Sequence, residues 1–125
     1  MDIIISNGSD KPIYEQITSQ MKDLILTGEL SAGTQLPSIR SLANSLRISA
    51  ITTKRAYADL EVEGFIETVP GKGSFVAGGN LELLREERLR HIEELLVQAV
   101  SEARSANINV RDLHTMLDLI AESDD

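Results

Sequence analysis

The stretch that decides the fold is Leu36–Val76, LPSIRSLANSLRISAITTKRAYADLEVEGFIETVPGKGSFV. Apolar residues recur at helical spacing over about residues 38–46 and again over 49–63, which predicts two short helices joined by a tight turn. Alternating residues at 65–69 and 74–77 then predict the two strands of a hairpin. This order of elements predicts a helix-turn-helix followed by a hairpin with a glycine-containing tip.

Caps and breakers support this interpretation. Ser38 and Ser49 each precede a predicted helix, where a serine oxygen can accept a hydrogen bond from a free backbone N–H. Gly64 follows the second helix and can end it. We expect Thr53 to face inward from that helix, although it is not apolar.

The positive charge of this stretch contrasts with the rest of the chain. The formal net charge is −8, yet Leu30–Ala58 carries four basic residues and no carboxylate. Residues 1–79 hold seven Lys or Arg against nine Asp or Glu, a net of −2, whereas residues 80–125 hold five against eleven, a net of −6. Salt screens electrostatic interactions between exposed charges over about 8 Å. A polyanion such as a nucleic acid would therefore respond to the local charge of this segment and not to the net charge of the chain. Charge alone does not distinguish a polyanion site from an ordinary solvated surface.

Composition excludes several classes of site and location. The chain has 125 residues and 42% apolar residues, enough for one domain or for a small domain with an appendage. It has no cysteine, which rules out disulfides and thiolate metal sites. Neither a secretory signal nor an apolar run of about 20 residues is present, so we expect a cytoplasmic protein without a membrane partner.

Upstream of the deciding stretch, a first helix is predicted to start near Lys11 and to end at Gly28. Pro12 suits its first turn, where the missing N–H costs nothing. The β-branched residues 3–5 are expected to form a small strand or to pack as a staple against the body.

Downstream, Gly78-Gly79 marks a boundary, followed by a predicted helix over about 80–106 and a last helix that Asn109 can cap. Their apolar stripes exceed what the two helices can bury against each other, so a second copy of the chain is the expected partner. The alternative is that the long helix packs on its own domain. The residues predicted to form the dimer interface are Leu84, Ile92, Leu95, Leu96, Ala99, Leu113, Leu117 and Ile120.

DNA is the polyanion that fits the helix-turn-helix. In this motif the second helix enters the major groove by its N-terminal end, while the first crosses the backbone. Small, hydroxyl and basic side chains begin the second helix, and a glycine-rich tip with one lysine could lie in or beside the minor groove. The predicted DNA-binding residues are Ser38, Arg40, Ser49, Ala50, Thr52, Lys54, Arg55, Gly71, Lys72 and Gly73.

The same residues resemble the winged helix-turn-helix of GntR-type bacterial transcriptional regulators. The resemblance rests on LPSIR at 36–40, LA at 42–43, EGFI at 63–66 and GKGSFV at 71–76, and it extends upstream to PIY at 12–14. It implies a DNA-binding domain over 11–79, a homodimer and a pseudo-palindromic operator. It also implies that Arg40 contacts DNA, that Thr52 supplies a hydroxyl of the recognition helix 49–63, and that the hairpin tip at 70–74 is the wing.

Two positions depart from the family pattern. Many members have arginine where this chain has Ala50, so base recognition is expected to depend more on Arg40, Thr52, Lys54 and Arg55. An apolar residue is usual at Thr53, which we interpret as a tolerated core substitution.

The tail of residues 80–125 is similar to that of the YtrA-like subgroup of the family. Its 46 residues are too few to enclose an effector pocket of several hundred Å³, so we expect a short helical dimerisation domain. The sequence does not identify a small-molecule effector. The resemblance to the YtrA-like subgroup implies transporter operons as the regulated genes. The expected fold is therefore mainly α with a small β-hairpin wing, and the expected function is that of a repressor.

Other chemistries fit less well. His91 has Glu87 and Glu94 at helical spacing, but a zinc site needs three or four protein ligands, so no metal and no cofactor are predicted. The one Gly-Lys-Gly-Ser lies in a hairpin without the spacing of a phosphate-binding loop, which argues against an enzyme. A winged helix that binds protein or RNA is the alternative function.

Overall fold

The computed structural model describes residues 1–123, which form five helices and one two-stranded sheet. The elements are α1 Ile13–Leu26, α2 Ile39–Leu46, α3 Ala50–Val62, β1 Ile66–Val69, β2 Gly73–Val76, α4 Leu81–Ser105 and α5 Val110–Ser123. The expected mainly helical fold with a small hairpin is confirmed. The chain forms two compact units, Met1–Arg85 and a second that begins at Glu86.

The first unit is built around α3, which packs against α1, α2 and β1. Ile17, Met21 and Leu60 are fully buried between these helices. Thr53 is also fully buried, as predicted, and its hydroxyl donates to the Ser49 carbonyl oxygen at 3.2 Å. Because that bond satisfies the hydroxyl, a polar residue can occupy a core position.

Both predicted serine caps are confirmed. The Ser38 side chain accepts a hydrogen bond from the backbone N–H of Ser41, and the Ser49 side chain accepts one from Thr52. The predicted start of α1 near Lys11 is two residues early, since Pro12 is the residue before the first helical position.

A buried tyrosine joins α3 to the start of α2. The Tyr57 hydroxyl donates to the carbonyl oxygen of Pro37 at 2.6 Å, and burial raises the pKa of this phenol to about 12. The phenol therefore remains a hydrogen-bond donor at all physiological pH values, and it fixes the chain where the helix-turn-helix begins.

The N-terminal segment is held by two glutamines of α1 and forms no strand. Gln20 bonds both the N–H and the carbonyl of Ile4, and Gln16 does the same at Ser6. Ile3 is buried in the core. Of the two predicted possibilities, the structure shows the staple.

The hairpin pairs β1 with β2 in an antiparallel register that sets Ile66 opposite Val76. The segment before α2 lies along the other edge of β2, where Leu36 N–H donates to Ser74 and Val76 N–H donates to Thr34. The hairpin is thus attached to the connection that leads into the helix-turn-helix.

Leu84 requires a correction to the predicted interface. It is only 8% exposed and belongs to the hydrophobic core of the first unit, which therefore includes the first turn of α4 beyond Gly79. By sequence spacing alone, Leu84 belongs to the same apolar stripe of α4 as the later leucines. Because Leu84 lies close to the domain boundary, its side chain packs into the core of the first unit.

The second unit consists of the rest of α4 and of α5. Asn109 caps α5 as predicted, its side-chain oxygen accepting the N–H of Asp112 at 2.9 Å. Ala103 is buried near the turn, but over the described residues α4 and α5 do not run closely side by side. In residues 1–123, no helix is long and apolar enough to cross a membrane.

Candidate nucleic-acid interface

The residues predicted to bind DNA all lie in the first unit, in α2 and α3, at the caps before these two helices, and at the hairpin tip. All of them except Thr52, which is half-buried, are exposed. Ile51 beside them is also 82% exposed, although it is a large apolar residue. An isoleucine left in solvent at the first turn of a helix is available to an external surface such as a thymine methyl group.

The first turn of α3 presents hydroxyl groups in a defined geometry. Ser49 Oγ accepts the N–H of Thr52 at 3.1 Å and lies 2.8 Å from Thr52 Oγ1. The two hydroxyls share one hydrogen bond, so one of their two protons stays available to an outside acceptor. The N-terminus of a 13-residue helix adds its positive dipole end at the same place.

Arg40 lies in the first turn of α2 and is exposed. Together with Ser38, Ser41, Asn44 and Ser45 it lines an open, polar depression on α2. No acidic residue is among the lining residues. This surface can offer a guanidinium group and several neutral donors to a phosphate or a base edge.

The two basic residues later in α3 differ in their surroundings. Lys54 is exposed. The guanidinium carbon of Arg55 lies 3.7 Å from the centre of the Tyr14 ring on α1, a cation–π contact. The stacking limits the directions in which the Arg55 side chain can point, so the fold orients this guanidinium group.

The hairpin tip forms an ordered turn. Lys72 N–H donates to the Val69 carbonyl oxygen at 2.9 Å across Pro70 and Gly71. Gly71 has φ +78°, as the third position of a type II turn requires, and Pro70 suits the second. The lysine at the tip is therefore carried on a defined backbone.

Gln35 is a residue of this region that the sequence did not indicate. Its side-chain amide donates to the Lys72 carbonyl oxygen at 2.9 Å, and its backbone pairs with Phe75. Gly73 has φ +122°, which residues with a side chain rarely adopt, and a Cβ atom there would also lie 3.0 Å from the Gln35 amide nitrogen. The contact spans 37 positions of sequence, and no local pattern predicts such a pair.

The arrangement supplies hydrogen-bond donors and positive charge on an open surface. Between Leu30 and Ala58 there is no carboxylate to oppose that charge. Within residues 1–123, no group of three or more His, Asp or Glu side chains is placed to hold a metal ion. Binding of an extended anion is the chemistry that this surface supports.

Comparison with known proteins identifies the fold family. The profile of the bacterial regulatory proteins of the gntR family matches residues 13–76. The chain belongs to the GntR family. It is a DNA-binding transcriptional regulator of the winged helix-turn-helix type, and the hairpin at 66–76 is its wing.

Individual relatives cover most of the chain. It is 39% identical over 112 residues to the HTH-type transcriptional repressor YtrA of Bacillus subtilis (strain 168), which covers 90% of this chain and 86% of YtrA. The crystal structure of a transcriptional regulator from Oenococcus oeni matches with a TM-score of 0.76 at 28% identity, over 94% of this chain and 97% of that one. YtrA from Sulfolobus acidocaldarius, a GntR-family transcription factor, matches with a TM-score of 0.58 at 39% identity, over 73% and 97%.

The residues predicted for dimerisation are mostly on the surface of the second unit. Leu113 is half-buried and Leu84 lies in the first core. The remaining six are exposed in the single chain: Ile92, Leu95, Leu96, Ala99, Leu117 and Ile120.

Proposed function

We propose that this protein is a cytoplasmic repressor that binds a pseudo-palindromic DNA operator as a homodimer, acting by binding and not by catalysis. The observation that carries this proposal is the capped, exposed and acid-free first turn of α3. Repression is supported by the likeness to the Bacillus subtilis protein, which is named a transcriptional repressor.

We assign the contacts with DNA to three elements. Ser49, Ala50, Thr52 and Lys54 at the start of α3 face base edges and nearby phosphates, with Ala50 allowing close approach. Arg40 reaches the groove from α2. The wing places Lys72 beside the adjacent minor groove, where Gly71 and Gly73 let the backbone come near.

Arg55 has a different proposed part. Because its guanidinium is stacked on Tyr14, it approaches DNA from the seam between α1 and α3. We assign it a phosphate contact, since a guanidinium group stacked on an aromatic ring keeps the N–H donors of its own plane free for hydrogen bonds. Ser38 supports the site mainly as the cap of α2, whose first turn carries Arg40.

The homodimer is proposed from the second unit. Ile92, Leu95 and Leu96 on α4 are 46–50% exposed, and Leu117 and Ile120 on α5 are more exposed still. An apolar stripe of this length is unusual on a monomer, and a second copy supplies a matching stripe. A two-fold dimer would also present two α3 helices to two half-sites.

Operator mapping tests this function most directly. Genomic binding followed by footprinting should recover an inverted repeat, and gel shifts with that duplex should show affinity that falls steeply with salt. A random duplex of equal length and a matched RNA are the controls. Equal affinity for RNA and DNA, or no shift with any duplex, would contradict the proposal.

A further inference from the structure

The turn between α2 and α3 contains a residue in an unusual backbone conformation. Arg47 has φ +57° and ψ +47°. These angles lie in the left-handed region, which residues other than Gly and Asn rarely adopt. Ile48 N–H bonds the Ala43 carbonyl at 3.0 Å, and Arg47 N–H bonds that of Asn44 at 3.3 Å. These two bonds define a Schellman motif at the end of α2, with Arg47 at its left-handed position.

Two other helices of the chain end in the same motif. At the end of α3, Phe65 N–H bonds Leu60 at 2.9 Å and Gly64 has φ +85°. At the end of α4, Ile108 N–H bonds Ala103 at 2.8 Å and Asn107 has φ +60°. The equivalent positions thus hold glycine and asparagine, the two residues that tolerate this conformation best. Only the end of α2, among these three, carries a long charged side chain there.

The environment of Arg47 does not explain the choice of arginine. The side chain is exposed, and over residues 1–123 it forms no ion pair. Residues held in strained backbone conformations cluster at active sites and ligand-binding sites, and here neither burial nor an ion pair accounts for the arginine. The reason is then expected to lie in a ligand outside the chain.

The place of Arg47 indicates which ligand this is. It lies two residues before Ser49, which caps α3, and within the acid-free segment Leu30–Ala58. In a helix-turn-helix on DNA, the first helix crosses the backbone and the second enters the groove, so the turn between them lies close to the phosphates. A guanidinium group binds a phosphate through two parallel N–H donors.

We propose that Arg47 binds a backbone phosphate of the DNA, and that this contact accounts for an arginine at a left-handed position. This role rests on the proposed function, since it requires the α2–α3 face to meet DNA. It adds affinity for any duplex and no preference for one sequence, because phosphates carry no base information. Binding and intrinsic stability are then in conflict at this one residue.

The test uses the full chain with three variants. Arg47→Asn removes the charge and installs the residue that this chain uses at position 107, so the variant should fold with a Tm equal to or above that of the wild type. Arg47→Lys keeps a positive charge, and the lysine must adopt the same left-handed backbone conformation. Arg111→Gln, on α5, is a matched loss of charge outside the acid-free segment. Dissociation constants are measured against the mapped operator duplex and a random duplex over a range of KCl concentrations.

Arg47→Asn should weaken binding to both duplexes by about tenfold at low salt. It should also lower the salt slope, which is the steepness with which log K falls as log salt concentration rises, by about one. The ratio of operator to random affinity should stay unchanged. Arg47→Lys should retain most of the affinity, and Arg111→Gln should resemble the wild type.

Three results would overturn the role. Wild-type affinity and slope for Arg47→Asn would show an ordinary solvated arginine. Loss of affinity for the operator alone would indicate a base contact in place of a phosphate contact. An equal loss in Arg111→Gln would show a general charge effect. If the wild type binds neither duplex, the proposed function itself fails, which is distinct from all three.

Discussion

The two units of this chain use amphipathic helices in opposite ways. In the first, the apolar faces of α1 and α3 meet each other, and Ile17, Met21 and Leu60 are inaccessible to solvent. In the second, α4 and α5 leave leucines such as Leu95 and Leu96 half exposed. Apolar residues recur at helical spacing in the helices of both units. The spacing therefore predicts which face of a helix is apolar, but it does not predict which surface packs against that face. The first unit is complete as a single chain, whereas the second has an apolar surface that a partner can bury.

Separating the two units should have the largest effect. A chain truncated after Arg85 retains its own core and should remain folded as a monomer. Its operator affinity should fall by about 10²–10⁴-fold, because one protomer can no longer engage both half-sites through a linked partner. Circular dichroism, sedimentation and gel shifts against the full chain measure these outcomes. Full operator affinity in the fragment would refute dimerisation by the second unit.

A second truncation, after Gly79, sharpens where the first unit ends. It removes Leu84 from the core and should lower the free energy of unfolding by about 2 kcal/mol relative to the fragment that ends at Arg85. Equal denaturant midpoints for the two fragments would contradict the assignment of Leu84 to that core.

A matched pair of leucine substitutions tests the comparison within the full chain. Leu60→Ala should lower the free energy of unfolding by about 2–5 kcal/mol, because it opens a cavity in a fully buried site. Leu96→Ala should leave the first unit stable and instead weaken self-association. Urea denaturation and sedimentation equilibrium separate the two effects. A Leu96→Ala protein that dimerises as tightly as the wild type would exclude this face of α4.

Arg40→Ala concerns the surface of the first unit that we propose to bind DNA. It should cost about 1–3 kcal/mol of operator binding and relax preference at one operator position if the guanidinium reads a base. Fluorescence anisotropy with single-base operator variants measures both. Arg111→Ala, on the second unit, is the control for loss of one positive charge. Unchanged operator affinity would remove Arg40 from the interface.

The smallest expected effects are at the wing. Lys72→Ala should flatten the salt slope by about one without changing sequence preference, because one phosphate contact is lost.

Gln35→Ala leaves every charge in place, so the salt slope of this variant should equal that of the wild type. Its affinity should fall by a factor of about three, because the hydrogen bond to the Lys72 carbonyl is lost. A flattened slope in Gln35→Ala would show that Gln35 does more than position the wing.

Much of the site could be predicted because its signals are local. A serine before a helix predicts a cap from two or three neighbouring residues, and Ser38, Ser49 and Asn109 all do cap their helices. The order of helices and hairpin follows from periodicity and breakers in the same way. The contacts of the predicted residues with DNA and with a second chain remain predictions.

Other features depend on residues far apart in sequence. The hydrogen bond from Gln35 to the wing and the stacking of Arg55 on Tyr14 join separate elements, and no sequence period relates their members. Leu84 shares its helical stripe with the later leucines of α4, but only the packed first unit shows that it belongs to a different core.

The sequence by itself determined the helix-turn-helix, its caps, the glycine-tipped wing and the positive, acid-free segment Leu30–Ala58. These are consequences of backbone preference and side-chain type within a few residues. Tertiary structure alone decided how the wing is held, how Arg55 is stacked on Tyr14, and where the first core ends. Those outcomes depend on which distant groups meet when the apolar faces pack, and no pattern of neighbouring residues contains that information.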